Sequence, residues 1–205
     1  MSDKKISVTI YAESTPNPRV MKFVANRAIV LGDSVEYRNI DEAEKSPLAI
    51  KLFHFPFVKE VFIARNFVSL TKYDIMEWDD ITMEIRQFIR EYLADGGVVV
   101  EETDDAPPTG VPEEKAFLLQ EVKLEELGEV ETRIVEILDE YVKPAVESDG
   151  GNIRFISYED GKVSVLLQGA CSGCPSSTVT LKQGIENILK KMLPSLVKEV
   201  VAVNG

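Results

Sequence analysis

Residues 95–114 read DGGVVVEETDDAPPTGVPEE, and no single packed core can run through them. Glycine, proline and a run of carboxylates leave little to bury, and like charges push such a segment toward an extended tether. The distribution of charge marks the same place. Lys and Arg against Asp and Glu number 13 and 14 over residues 1–94, 2 and 12 over 95–131, and 8 and 9 over 132–205. The net charge of −12 is therefore carried by the middle of the chain, and each flank is nearly neutral. Neither flank offers a basic nucleic-acid face. The expected organisation is a domain over residues 1–94, an acidic linker over 95–129 and a second domain over 130–205. About 20 flexible residues span roughly 25 Å, more under self-repulsion, so the domains are expected to move independently. The run KAFLLQEVKLEEL, residues 115–127, is expected to dock its apolar side chains on the second domain.

With 44% hydrophobic and 28% charged residues, the composition is that of a soluble globular protein. No apolar run approaches the roughly 18 residues of a membrane span, so no membrane partner is expected. The opening MSDKKISVTIYAE alternates like a strand and lacks the apolar centre of a signal peptide, which favours a cytoplasmic location.

The first domain reads as mixed. Residues 5–13 alternate apolar Ile6, Val8, Ile10 and Ala12 with polar neighbours. Residues 20–24, 59–64 and 66–71 are rich in β-branched and aromatic side chains, so several strands are predicted. A short helix is expected to start near Pro47 and run through Leu48 and Leu52. A longer one follows in DDITMEIRQFIREYLADGG, capped by Asp79 or Asp80. Ile81, Ile85, Phe88, Ile89 and Tyr92 recur at helical spacing, and Gly96 is the stop. No catalytic constellation is visible here. The lone His54 and Trp78 are read as structural or surface residues.

The second domain has a clearer order. Val130, Ile134, Ile137, Leu138, Tyr141 and Ala145 form the apolar stripe of a helix that ends at Gly150. The stretch NIRFISYEDGKVSVLLQG reads as two strands joined by an Asp-Gly hairpin at Asp160 and Gly161. A helix follows with Val179, Leu181, Ile185, Ile188, Leu189 and Met192 on one face, then a terminal strand in LVKEVVAV. The whole chain is thus expected to be α+β: two small mixed domains, the second ordered helix, strand, strand, CxxC, helix, strand.

The two cysteines of the chain stand together between that second strand and helix, as Cys171 and Cys174 in GACSGCPSST. Two thiolates are half of what a tetrahedral zinc or an iron–sulfur cluster takes. Either the pair does redox chemistry alone, or the other half comes from another chain. Pro175 fits a first helical position, which makes Cys174 the expected cap and leaves Cys171 just outside, where the positive helix end favours thiolate. Gly169 and Gly173 permit tight turns, and Ser172, Ser176, Ser177 and Thr178 can donate hydrogen bonds to sulfur without adding negative charge. Glycine and hydroxyl neighbours, not core hydrophobes, argue against mere packing of two buried thiols, and three readings compete. Thioredoxin-like oxidoreductases carry CxxC at a helix start, but in a strand–helix–strand context, whereas a hairpin precedes it here. A zinc shared by two chains satisfies the same ligand count. The third reading is an anionic, sulfur-rich cluster.

The runs VKPAVESDGGNIRF and VLLQGACSGCPSSTVTLKQGIENILKKMLP closely resemble the C-terminal domain of NifU-like (Nfu) iron–sulfur cluster scaffold and carrier proteins. TPNPRVMKF, SPLAIKLF and VKEVFIARNFVSLTK resemble the N-terminal domain of the Nfu group, departing at His54, Pro56 and Arg65 from its more glycine-containing pattern. The resemblance implies a protein without catalytic turnover that holds a [4Fe-4S] cluster between two subunits. Each subunit would give Cys171 and Cys174 as iron ligands, and the cluster-bridged homodimer would pass its cluster to apo iron–sulfur proteins after receiving it from cluster assembly proteins.

Overall fold

The computed structural model describes residues 7–32, 34–101, 128–172 and 175–204. They belong to two compact units that part between Val111 and Pro112.

In the first unit, five strands form one antiparallel sheet in the order β1-β2-β5-β4-β3: β1 (Ile10–Ser14), β2 (Val20–Ala25), β3 (Val35–Tyr37), β4 (Val58–Ala64) and β5 (Phe67–Lys72). Strand alternation sends Phe23, Val61, Ile63, Val68 and Leu70 to one face, where they meet Leu48 and Leu52 of helix α1 (Pro47–Phe53) and Ile81, Ile85 and Ile89 of helix α2 (Trp78–Ala94). Ser46 caps α1 by accepting from the Ala49 N–H at 3.2 Å, and Pro47 takes the first helical position. Trp78 packs edge-on to Phe23 and donates its Nε1–H to the Pro18 carbonyl at 3.1 Å.

Three expectations need correction here. The first strand starts at Ile10, with residues 7–9 outside it although Val8 is buried, and the expected start at Lys5 lies outside the described residues. Asp79 and Asp80 do not cap α2: Glu77 precedes it without a side-chain cap bond, and the two aspartates lie in the first turn, where the positive helix end favours them. The chain also does not leave the domain at Ala94. Gly96 turns it with φ 75° as expected, but Val99 is then buried in the core. Its carbonyl accepts from Ser46 Oγ at 2.6 Å, the Val98 carbonyl from Tyr92 OH at 2.6 Å, and the Glu101 N–H donates to Lys45 O at 2.8 Å. The remainder of the tether, with the apolar run 115–127, lies outside the described residues.

The second unit opens with a helical run in three parts: α3 (Glu129–Ile137), a π-helical turn Leu138–Val142, and α4 (Lys143–Ser148). The widened turn comes immediately before Pro144, whose missing N–H and bulky ring forbid a regular one. Here the Lys143 N–H reaches back to Leu138 O. Gly150, at φ 83°, ends the run as expected. Strands β6 (Gly151–Glu159) and β7 (Lys162–Gly169) form the expected hairpin. Asp160 and Gly161, at φ 52° and 89°, are both left-handed, the type I′ geometry that suits strand twist. Helix α5 (Pro175–Met192) then crosses to β8 (Glu199–Asn204), which lies parallel to β7. One face of this three-stranded sheet, with Ile153, Val163, Val165, Leu167 and Val200, packs on Ile134, Ile137, Leu138, Val142 and Val146 of the helical run and Ile185 and Leu189 of α5. Val179 does not share that burial, being an exposed residue of the first turns of α5.

Candidate functional site

The site forms where β7 hands over to α5. Gly169 ends the strand with φ 65°, paired with Gly151, and the Ala170 N–H donates to Gly150 O at 3.2 Å. The chain then folds back. The Ser172 N–H and Oγ both donate to the Gly169 carbonyl, at 3.0 and 2.8 Å, and Thr178 Oγ1 of α5 donates to the Cys171 carbonyl at 3.3 Å. These bonds turn the Cys171 side chain inward.

Cys171 is 6% exposed and belongs to the core of the second unit. Its thiol lies against the bare Cα of Gly151: a Cβ there would stand 2.8 Å from Cys171 Sγ, 3.1 Å from Cys171 Cβ and 2.5 Å from the Gln168 carbonyl oxygen. Burial pushes the Cys171 pKa up to about 12, and the negative charge of Asp149 adds to the effect. This reverses the expectation that the helix end would favour thiolate at Cys171: loss of solvent outweighs a half-charge dipole that fades within one turn. Packing of this thiol, which the small polar neighbours argued against, is therefore real for Cys171. Cys174 and Gly173 lie outside the described residues, as do the side chains of Ser176 and Ser177. Helix α5 begins at Pro175, as expected.

Of the hydroxyls expected to face sulfur, Ser172 donates to the Gly169 carbonyl and Thr178 to the Cys171 carbonyl. Among the described residues no three His, Cys, Asp or Glu side chains converge as a metal site, and no helix is long and apolar enough to cross a membrane. His54 is exposed in the first unit, its Nδ1 2.7 Å from the Ile50 carbonyl. One argument against an oxidoreductase does not hold: the motif does sit in a strand–helix–strand unit, since β7 and β8 are parallel. What disfavours that reading is the burial of Cys171, which favours its thiol over the thiolate that disulfide exchange needs.

Gly151, Asp149 and Thr178 were not read from the sequence as partners of Cys171. The doubled glycine in SDGGN was the available signal: one left-handed cap needs Gly150 alone, and the second glycine asks for a close approach.

Comparison with known proteins agrees with both halves of this fold. Residues 10–96 match the family model described as scaffold protein Nfu/NifU N terminal, and residues 134–201 that of the NifU-like domain. The chain is 35% identical over 189 residues to the human protein named NFU1 iron-sulfur cluster scaffold homolog, mitochondrial, covering 91% of this chain and 69% of that one. It is 37% identical over 191 residues to the Drosophila erecta protein of the same name, covering 93% of this chain but 63% of the relative. Among solved structures, the solution structure of a NifU-like protein from Saccharomyces cerevisiae aligns with 26% identity and a TM-score of 0.43, over 50% of this chain and 92% of that one. The cytoplasmic expectation does not stand, because these relatives are mitochondrial by name. Free thiols ask only for a reducing compartment, which the cytosol is not alone in providing. The relatives are named for scaffolding and not for a catalysed reaction. With both domain models matched in order and two relatives similar along nearly the whole of it, the chain belongs to the Nfu/NifU family of iron–sulfur cluster scaffold proteins.

Proposed function

We propose that this protein is a scaffold and carrier that holds a [4Fe-4S] cluster between two copies of the chain, each copy giving Cys171 and Cys174, and delivers it to apo-proteins. The cluster is cargo and not a resident cofactor. The observation that carries the reading is the thiol count: the chain has two cysteines, so one copy supplies half a cubane's ligands. A zinc site shared by two chains would use the same thiols, but family membership favours iron and sulfide. In the same proposal the two units fold separately, the first running past residue 94 to include the anchored residues 98–101, the second over residues 130–205, with the rest of the acidic segment joining them.

Anaerobic reconstitution with iron and sulfide tests the reading, using Mössbauer spectra for cluster type and sedimentation for assembly, without low-molecular-weight thiols that could replace the second chain. The expected result is a dimer when loaded and largely a monomer when free, since a cargo that binds only the dimer stabilises it by mass action. Cluster-loaded monomers, or full iron and sulfide in Cys174→Ser, would overturn the shared site. Residues 128–205 alone are expected to load as the full chain does.

A further inference from the structure

We propose that the cargo-free chain stows Cys171 in a core seat formed by Gly151 and held shut by Thr178, and that the side chain must leave this seat before it can ligate cargo. The inference rests on the assignment of Cys171 as a ligand, and adds Gly151 and Thr178 as positioning residues.

The geometry leaves little choice. A ligand shared with a second chain must present its sulfur outside its own protomer, yet Cys171 is 6% exposed and packed in its own core. The seat exists because residue 151 has no side chain: any Cβ would lie 2.8 Å from Sγ, closer than real contacts allow. Among the described residues, the hydrogen bonds that hold the turn include two from Ser172 to the Gly169 carbonyl and one from Thr178 Oγ1 to the Cys171 carbonyl. The Thr178 bond ties this turn to α5, and at 3.3 Å it is longer than the two from Ser172. Gly169, left-handed at φ 65°, stands two residues before Cys171. Seat and cargo therefore compete for one side chain, and anything that weakens the seat strengthens cargo binding.

Two variants test the seat, one at the Cys171 carbonyl and one at its thiol. Thr178→Val keeps shape and removes the donor. Gly151→Ala fills the seat, but its Cβ would also press on the Gln168 carbonyl at 2.5 Å, so the hairpin end must shift and Thr178→Val carries the test if that variant does not fold. In the cargo-free Cys174→Ser background Cys171 is the sole thiol. N-ethylmaleimide should then label it at least about a hundredfold more slowly in the folded protein than in urea at the same pH, as reaction awaits local opening. Thr178→Val should speed labelling roughly 2- to 10-fold, the population change expected for one lost hydrogen bond. With both cysteines present and iron and sulfide loaded, Thr178→Val should hold iron more tightly against a ferrous chelator. Fast labelling of folded Cys171 would overturn the stowed thiol while leaving the carrier reading untouched. Faster labelling with unchanged or weaker iron retention would overturn the competition. Failure of the wild-type chain to take up iron and sulfide, with Cys171 still protected, would instead defeat the carrier reading and leave the seat in place.

Discussion

Cys171→Ser is the natural substitution for testing a ligand, and here it should also destabilise the domain that carries it. Cys171 belongs to the buried apolar core of the second unit, so serine would place a hydroxyl in that core, against the bare Cα of Gly151. Burying a hydroxyl without a full complement of partners costs about 1–3 kcal/mol, while shortening the side chain to alanine removes one heavy atom and costs about 1 kcal/mol. Against a domain stability of about 5–15 kcal/mol either loss is measurable, and the serine variant should be the less stable of the two. Urea unfolding of the cargo-free protein followed by circular dichroism reads the difference. The single tryptophan, Trp78, lies in the first unit, so its fluorescence should give an unchanged transition and serve as an internal control. A serine variant within about 0.5 kcal/mol of wild type, or more stable than Cys171→Ala, would refute the packed thiol, because surface substitutions fall in that range. If the reasoning holds, lost cargo in Cys171→Ser does not by itself identify a ligand, and Cys171→Ala with a measured stability is the sounder comparison.

Three further outcomes follow from the same geometry. Cys171 has a folded pKa raised from 9.0 to about 12, so its contribution to stability is whole below about pH 9 and is lost as pH rises toward 12; urea midpoints from pH 8 to 11 should fall more steeply for wild type than for Cys171→Ala. Ser46→Ala removes both the cap of α1 and the 2.6 Å bond to Val99 O, and should cost about 1–2 kcal/mol in Trp78-detected unfolding while advancing proteolysis from beyond Glu101 into residues 98–101. Gly161→Ala forces a Cβ onto φ 89° and to within 2.9 Å of the Lys198 side chain and 3.1 Å of Leu196 O, and should cost about 1–2 kcal/mol in the second unit, read by circular dichroism.

What could be read from the sequence was local. Pro47 after Ser46, the Asp160-Gly161 turn, Gly96 and Gly150 as helix stops and Pro175 at a helix start each act within a turn of themselves, and each stands where it was expected. What could not be read was set at a distance. Strand β3 has three residues, too few to show alternation, and exists through its pairing with β4. Residues 98–101 look like linker until Ser46 and Lys45, more than fifty positions earlier, supply a donor and a carbonyl. The site failed in the same way. Glycine and hydroxyl neighbours suggested an exposed Cys171, but its burial is decided by Gly151 on the facing strand, twenty residues away.

That distant contact changes what the CxxC loop would do as a carrier. In a rigid, exposed loop cargo affinity is set by the sulfur–iron bonds alone, and a site strong enough to capture a cluster is by the same measure slow to give it up. A seat adds a second minimum for Cys171. On the proposed reading each kcal/mol the seat gains is subtracted from cargo binding, and two copies subtract it twice. A seat worth about 1.4 kcal/mol per chain would then lower affinity about tenfold per chain and about a hundredfold for the bridged pair. On the same reading Cys171 regains its packing in the core as the cargo departs. The glycine that makes the seat possible would thus set how readily the protein lets go, which for a carrier matters as much as how well it holds.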